Sequence, residues 1–137
     1  MIKYNISDSA SMSKTFSESD VYLFAGITGD FNSVHINSEV AKRGIFGERI
    51  AHGILVSGLI SAVIGMKLPG EGSIYMEQDL KFLKPVKIGD TVTATVRIVE
   101  IINEAKGILK LDTIVRNQNE ETVIDGYAVV KVPVVKE

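Results

Sequence analysis

The chain has 137 residues, of which 45% are hydrophobic and 23% are charged, and its formal net charge is -2. This length and composition predict an ordinary globular protein, with residues 1–137 forming a single domain around its own core. Nucleic-acid binding is not expected, because it needs a concentrated basic surface. The sequence contains no cysteine, which excludes disulfides, thiolate catalysis and cysteine metal ligands.

The N-terminal residues before Thr15 are polar and rich in serine, and we expect them to form an extended arm. They lack the basic and then apolar pattern of a signal peptide, so a cytoplasmic protein is expected. Ser17 and Asp20 form a capping-box pattern that predicts a helix over residues 18–28, ended by Gly29. The following segment, 29–35, is dense in turn-forming residues and is predicted to be a loop. Ser38 can cap a short helix over 39–43.

The stretch 50–66 contains no Asp, Glu, Lys or Arg. A helix that is apolar all round lies in a core or in a membrane, and this one falls short of the roughly 18 to 20 residues that a membrane span needs. We therefore predict a buried central helix that starts near His52, and no membrane span. Small residues recur every four positions along it, and they give it one face that another backbone, a sheet or a ligand can approach closely: Gly53, Ser57, Ser61 and Gly65.

The second half of the chain is predicted to be β-structure. Alternating or β-branched runs cover residues 73–84, 91–102, 108–116 and 122–132, and turn-forming residues separate them. Because short connections join antiparallel neighbours, we expect a four-stranded meander. The predicted fold class is α+β, with the long central helix wrapped by an antiparallel sheet.

Asp30 and His35 flank the predicted loop, which can turn both side chains toward one cavity. A carboxylate paired with an imidazole is the minimum needed to move a proton on and off water. The alternative is that Asp30 caps a turn and His35 is a partly exposed loop residue. His52, the second of the two histidines, stands at the start of the central helix, where structural support is favoured over a direct role in binding or catalysis.

Gly53 follows in the first turn of the central helix. Glycine there lets a ligand reach a bare N–H group at the positive end of the helix dipole, which suits a developing oxyanion. Close packing of the helix against the sheet would explain the same residue equally well. Asp30, His35 and His52 also have the residue types of a metal site, but without metal-ligand spacing no metal is expected.

Several segments resemble the MaoC-like dehydratase family, and in particular its (R)-specific enoyl-CoA hydratases. The family signature is similar to Thr28-Gly29-Asp30-Phe31-Asn32-Ser33-Val34-His35, followed by Ala51-His52-Gly53. Further similar stretches lie at 72–75, 82–86 and 88–90, so that the resemblance spans nearly the whole chain. Ser33 stands where family members usually carry proline.

The resemblance implies a hotdog fold and the reversible hydration of trans-2-enoyl-CoA to (R)-3-hydroxyacyl-CoA. It implies that Asp30 and His35 hold and activate one water, and that the Gly53 N–H binds the thioester oxygen. Asn32, His52 and Ile54 would contribute to substrate binding, the last from the apolar side chains that line an acyl tunnel. The implied chemistry calls for no metal or redox cofactor.

The implied partners are an acyl-CoA substrate and a second copy of the chain in a homodimer, with no nucleic acid and no membrane. Alternatives of the same fold are a thioesterase and a 3-hydroxyacyl-acyl-carrier-protein dehydratase. Both usually carry a carboxylate on the central helix, which has none here. A third alternative is a non-catalytic subunit that binds acyl thioesters. The acyl chain length, the carrier, the direction of the reaction, and the assignment of base and acid stay open.

Overall fold

The structure is a computed structural model that describes residues 2–135. Within that range the chain forms strands and helices in the following order: β1 Ser9–Thr15, α1 Glu18–Thr28, α2 Ser33–Ile36, α3 Ser38–Lys42, α4 Gly53–Met66, β2 Ile74–Phe82, β3 Thr91–Asn103, β4 Ile108–Arg116 and β5 Thr122–Lys131. The strands build one antiparallel sheet in the order β1-β3-β4-β5-β2. The predicted α+β architecture is confirmed.

The N-terminal arm is extended, as predicted, and its residues Ser9–Thr15 form an edge strand of the sheet. β1 pairs with β3 along its whole length. Outward-facing hydroxyl groups bond across the pair, from Ser11 to Thr95 at 2.8 Å and from Ser13 to Thr93 at 2.7 Å. Ala10 and Met12 pack inward against the core. The pairing with β3 was not predicted, because a serine-rich segment does not resemble a strand and its cross-strand partner cannot be read from local sequence.

The predicted four-stranded meander is correct only for β3, β4 and β5. The prediction placed β2 beside β3. In the structure β2 pairs with β5 instead, at the far edge of the sheet. The connection over 83–90 therefore crosses three strand spacings, about 14 Å at 4.8 Å each. Eight extended residues span that distance easily, so a connection of this length does not require a hairpin.

Helix α4 lies across the sheet and begins at Gly53, next to His52 as predicted, and not at Ile50, where the apolar stretch begins. Ile50 instead forms an isolated β-bridge with Lys87. The helix face toward the sheet is buried and consists of Val56, Leu59, Ile60, Val63 and Ile64. The opposite face is exposed at Ile54, Gly58, Ser61 and Gly65, so the chain's own sheet wraps one side of α4. Among residues 2–135, none of the helices is long and apolar enough to cross a membrane.

Helix α1 has the predicted bounds and capping box. The Ser17 side chain accepts the Asp20 N–H, and the Asp20 carboxylate accepts the Ser17 N–H. Two predictions for the next segment need correction. The predicted loop contains the helical turn α2, and α3 is capped by Asn37, whose side chain accepts two backbone N–H groups, rather than by Ser38.

Candidate active site

The loop that carries Asp30 is fixed by a chain of short-range hydrogen bonds. Gly29 ends α1 in the left-handed conformation, with φ of 82°, which costs glycine little. The Asp30 carboxylate then accepts the Asn32 N–H at 3.2 Å, and the Asn32 side chain accepts the Val34 N–H at 3.2 Å. Asn32 is therefore the N-cap of α2, the turn that carries His35. These bonds set the positions of both predicted catalytic side chains.

His35 is held in one tautomer by the backbone. Its Nδ1 lies 2.8 Å from the carbonyl oxygen of Ile50, and because a carbonyl can only accept, Nδ1 carries the proton. In the neutral ring the lone pair is then on Nε2, which can accept a proton. The side chain is only 9% exposed, so His35 is not the exposed loop residue of the alternative interpretation.

His52 is the most enclosed polar side chain of the site, with 2% exposure. Its Nε2–H donates to the carbonyl oxygen of Asp30 at 3.0 Å, and its ring stacks on His35 at a centroid distance of 3.9 Å. The ring of Phe24 packs on it at 4.8 Å. Its Nδ1 is buried and has no hydrogen-bond partner within residues 2–135. These contacts fix the position of the His52 ring.

Asp30, His35 and His52 converge. One carboxylate oxygen of Asp30 and one ring nitrogen of each histidine all lie within 4.8 Å of one another. Groups this far apart can share one water, because each of its hydrogen bonds is about 2.8 Å long. The same three side chains have the types and proximity of a metal site, since each histidine keeps one nitrogen free of the backbone carbonyls. The arrangement is suited to proton transfer, and Asp30 stays exposed at its mouth.

Gly53 is the first residue of α4. Its N-cap, His52, makes no side-chain hydrogen bond to the first turn, so the N–H groups at this helix start are left for other acceptors. A Cβ atom at Gly53 would stand 2.7 Å from two carbons of the Phe82 ring. Any side chain here would displace the exposed Phe82 ring, so the close packing of α4 on β2 favours glycine, whichever use is made of its N–H.

An open apolar cavity of about 360 Å³ adjoins this helix start. Gly53 and Ile54 line it, together with Phe46, Ile50, Phe82, Leu83 and Ile124. Ile54 is 57% exposed and stands between the cavity and the outer face of α4. Asp30, Asn32, His35 and His52 are not among the lining residues, and the connection to the cavity runs through Ile50, whose carbonyl holds His35.

Arg49 has a role that the sequence did not indicate. Charge and nearness in sequence to the site make Lys42, Arg43 and Arg49 candidates for contacts with the carrier's phosphates. In the structure the Arg49 guanidinium is bound to Glu18 and Tyr22, and Lys42 is paired with Glu39. The only sequence signal for the Arg49 cluster is the helical spacing of Glu18 and Tyr22, which does not indicate a partner 27 and 31 residues away.

Comparisons with known proteins agree on one family. The family model described as the MaoC like domain matches residues 5–121. An (R)-specific enoyl-CoA hydratase of Rhodospirillum rubrum is 50% identical over 91% of this chain and 85% of its own length. A 3-hydroxybutyryl-CoA dehydratase of Methylorubrum extorquens is 47% identical over 89% of this chain and 76% of its own.

A solved structure extends the agreement to the fold. The (R)-hydratase of A. caviae involved in PHA biosynthesis superposes with a TM-score of 0.92 at 38% identity, covering 96% of this chain and 98% of that one. The predicted hotdog fold is thereby confirmed. The chain belongs to the MaoC-like dehydratase family and is a hydro-lyase.

Proposed function

We propose that the protein is an (R)-specific enoyl-CoA hydratase, which reversibly adds water to trans-2-enoyl-CoA to form (R)-3-hydroxyacyl-CoA. The observation that carries the proposal is the convergence of the Asp30 carboxylate and the His35 ring within 4.8 Å, beside the free start of α4 and an apolar cavity. The two relatives named for this reaction and for its reverse support the substrate class.

In the proposed mechanism Asp30 and His35 hold one water between them. Water is a poor nucleophile, so a base must take its proton as the oxygen attacks the β-carbon. Asp30 offers a carboxylate, and His35 offers the Nε2 lone pair that its bond to Ile50 leaves free. The pair then passes that proton to the α-carbon, so that the water adds as OH and H and the pair returns to its starting state.

Gly53 would stabilise the charge that develops on the thioester oxygen. As the β-carbon is attacked, the carbonyl becomes enolate-like, and an N–H at the start of α4 can bond this oxygen with the helix dipole behind it. Such a bond gains strength as charge develops and so lowers the barrier rather than merely tightening substrate binding. Asn32 would keep the loop in place through its cap of α2, and His52 through its bond to Asp30.

The apolar cavity is the proposed start of the acyl site. Ile54 would contact the acyl chain from the first turn of α4, and Phe82 and Ile124 would cover it from the sheet.

The proposed reaction needs no metal or redox cofactor, and we expect dialysis against EDTA to leave the turnover number unchanged. The proposal includes a single domain over residues 1–137. It also includes a cytoplasmic location, and we expect cell fractionation to recover the protein in the cytoplasmic fraction.

The proposal also includes a homodimer. β2 is an edge strand with exposed apolar side chains, such as Ile74 at 58% and Met76 at 55% exposure. Beside it, an open groove of about 380 Å³ runs along the small-residue face of α4 at Ser57, Gly58 and Ser61. A second copy could approach this face closely and cover both features. Light scattering after gel filtration tests this, and a monomer at micromolar concentration would contradict it.

The loss of enoyl absorbance on incubation with crotonyl-CoA tests the proposed reaction. We expect turnover, and we expect the product to be refused by an (S)-specific 3-hydroxyacyl-CoA dehydrogenase. A series of chain lengths on both coenzyme A and acyl-carrier protein would define the substrate. Hydrolysis to free coenzyme A would indicate the thioesterase alternative, although α4 lacks a carboxylate for it. No turnover on any carrier would contradict the hydratase and favour the non-catalytic alternative.

A further inference from the structure

Three side chains form a compact cluster between α1 and the segment that precedes α4. The Arg49 guanidinium donates to the Tyr22 hydroxyl at 2.9 Å and to the Glu18 carboxylate at 3.0 Å. The Tyr22 hydroxyl in turn donates to the same carboxylate at 2.5 Å. The guanidinium carbon also lies 5.8 Å from the centre of the Tyr22 ring. Each member thus contacts the other two.

The backbone next to Arg49 holds His35. The Ile50 carbonyl accepts the His35 Nδ1–H at 2.8 Å, and the Ile50 N–H donates to the carbonyl oxygen of Val34 at 3.2 Å. On the other side, the Ala51 N–H donates to the carbonyl oxygen of Val86 at 2.7 Å. The carbonyl that selects the His35 tautomer is therefore one residue away from the Arg49 cluster.

Helix α1 is attached to this segment at both of its ends. At its C-terminal end, His52 bonds the Asp30 carbonyl and packs on Phe24. At its N-terminal end, Arg49 bonds Glu18 and Tyr22. One attachment would let the helix pivot, whereas two fix its direction relative to the segment. Since Asp30 directly follows α1, the same two attachments fix Asp30 relative to His35.

The chemistry of the cluster favours positioning over stability. The Arg49 side chain is 18% exposed and that of Glu18 is 53% exposed, and ion pairs at such sites contribute little to the free energy of folding. The planar fork of arginine, in contrast, fixes direction, which lysine cannot do. The hydrogen bond from Tyr22 and then that from Arg49 lower the pKa of Glu18, so the carboxylate remains a charged acceptor at neutral pH.

We propose that Arg49, held by Glu18 and Tyr22, is a positioning residue that keeps the Ile50 carbonyl in place to hold His35 in its Nδ1–H tautomer. This rests on the proposed function for its effect on turnover, but not for its effect on His35. Within residues 2–135, no hydrogen bond or ion pair joins Arg49 to Asp30 or His35, so Arg49 acts through the adjacent peptide group.

The first test is kinetic, on Arg49→Met, Arg49→Lys and the double variant that combines Arg49→Met with Glu18→Gln. We expect Arg49→Met to lower kcat about tenfold with KM changed less than about twofold, because small displacements of reacting groups are costly. Arg49→Lys should not restore kcat, because it keeps the charge but lacks the fork. Glu18→Gln added to Arg49→Met should cause no further loss, as for one shared network. The matched control is Lys14→Met, which removes an ion pair to Asp20 in the same turn of α1 and should leave kcat unchanged.

The second test does not depend on activity. The chain has two histidines, so the NMR spectrum of protein labelled with ¹⁵N-histidine contains the signals of two imidazole rings. The signals that disappear in His35→Ala belong to His35. We expect a pure Nδ1–H pattern for His35 in the wild-type protein and in Lys14→Met, and a mixture of tautomers in Arg49→Met and Tyr22→Phe. Tyr22→Phe decides the question if Arg49→Met does not fold.

The outcomes separate the two proposals. An unchanged His35 tautomer in a folded Arg49→Met or Tyr22→Phe would overturn the positioning role, as would a loss of kcat in Lys14→Met as large as that in Arg49→Met. A wild-type protein without hydratase activity would contradict the proposed function. The nitrogen spectra would then still support or overturn the role of Arg49.

Discussion

The ring of His52 lies on the ring of His35, with centroids 3.9 Å apart and planes inclined by 27°. Each ring donates one N–H to a backbone carbonyl near the other histidine's segment. His35 donates to the carbonyl of Ile50, and His52 donates to the carbonyl of Asp30. The two histidines therefore join the Asp30 loop to the segment before α4. His35 is left with an available nitrogen beside Asp30, whereas His52 is enclosed.

We expect His52→Ala to act mainly on stability. The substitution removes a buried ring that packs on His35 and Phe24 and leaves the Asp30 carbonyl without its donor. The free energy of unfolding should fall by about 2 to 4 kcal/mol, as for other buried aromatic truncations that also lose a hydrogen bond. Urea denaturation measures this loss. At low temperature the folded fraction should keep turnover within about tenfold of wild type, since the proposed proton transfer does not use His52. A variant of normal stability without activity would contradict this assignment.

Asp30→Asn and His35→Ala should each abolish turnover and leave the fold intact. Either change removes one of the two groups that hold the water, and we expect kcat to fall by about 10³ or more, since base catalysis and water positioning are lost together. Asp112→Asn, the same chemical change on the partly buried strand β4, is the matched control. Crotonyl-CoA hydration and circular dichroism on the three variants make the comparison. Near-normal turnover in Asp30→Asn or His35→Ala would remove that residue from the proposed pair.

The bounds of α1 and β4 could be predicted, because the residues that set them lie within each element or next to it. α1 follows from Ser17, Asp20 and Gly29, all within one helix length. β4 has its predicted bounds, because Ile108–Arg116 alternates between core and surface along its length. The partners of β1 and β2 were missed, since strand pairing depends on contacts between residues far apart in the chain.

The same division applies to the site. Asp30, His35 and Gly53 were selected through the family signature, and the spacing of Asp30 and His35 already allowed them to share a cavity. The stacking of His52 on His35 and the carbonyl partners of both rings could not be predicted, because they depend on how α1 packs against the segment before α4. Charge and proximity made Arg49 a candidate for phosphate contact, but they do not reveal Glu18 and Tyr22 as its partners.

The ionisation of Tyr75 should lower the stability of the protein in strongly alkaline solution. Burial raises the pKa of its hydroxyl from 10.0 to about 12, and the hydroxyl donates to the side chain of Gln78. Because the unfolded state ionises first, the contribution of Tyr75 to stability is fully present below about pH 10 and is lost as the pH rises toward about 12. Absorbance at alkaline pH should show a late step from Tyr75, and Tyr75→Phe should remove that step and flatten the decline in stability. A late step that persists in Tyr75→Phe would assign it to another tyrosine.

Gly53 has two separable properties, a bare N–H and the absence of a side chain. Gly53→Ala keeps the N–H but brings a Cβ within 2.7 Å of the Phe82 ring, so on its own it tests packing. Proline also adds a Cβ and removes the N–H, and it is tolerated at the first position of a helix. The extended backbone of His52, with φ of -60° and ψ of 131°, suits a residue before proline. With Phe82→Leu in both backgrounds to relieve the contact, we expect Gly53→Pro to have a kcat about 10² to 10³ lower than Gly53→Ala, the cost of one oxyanion donor. Equal kcat values in the two double variants would show that Gly53 serves only the packing of α4 on β2.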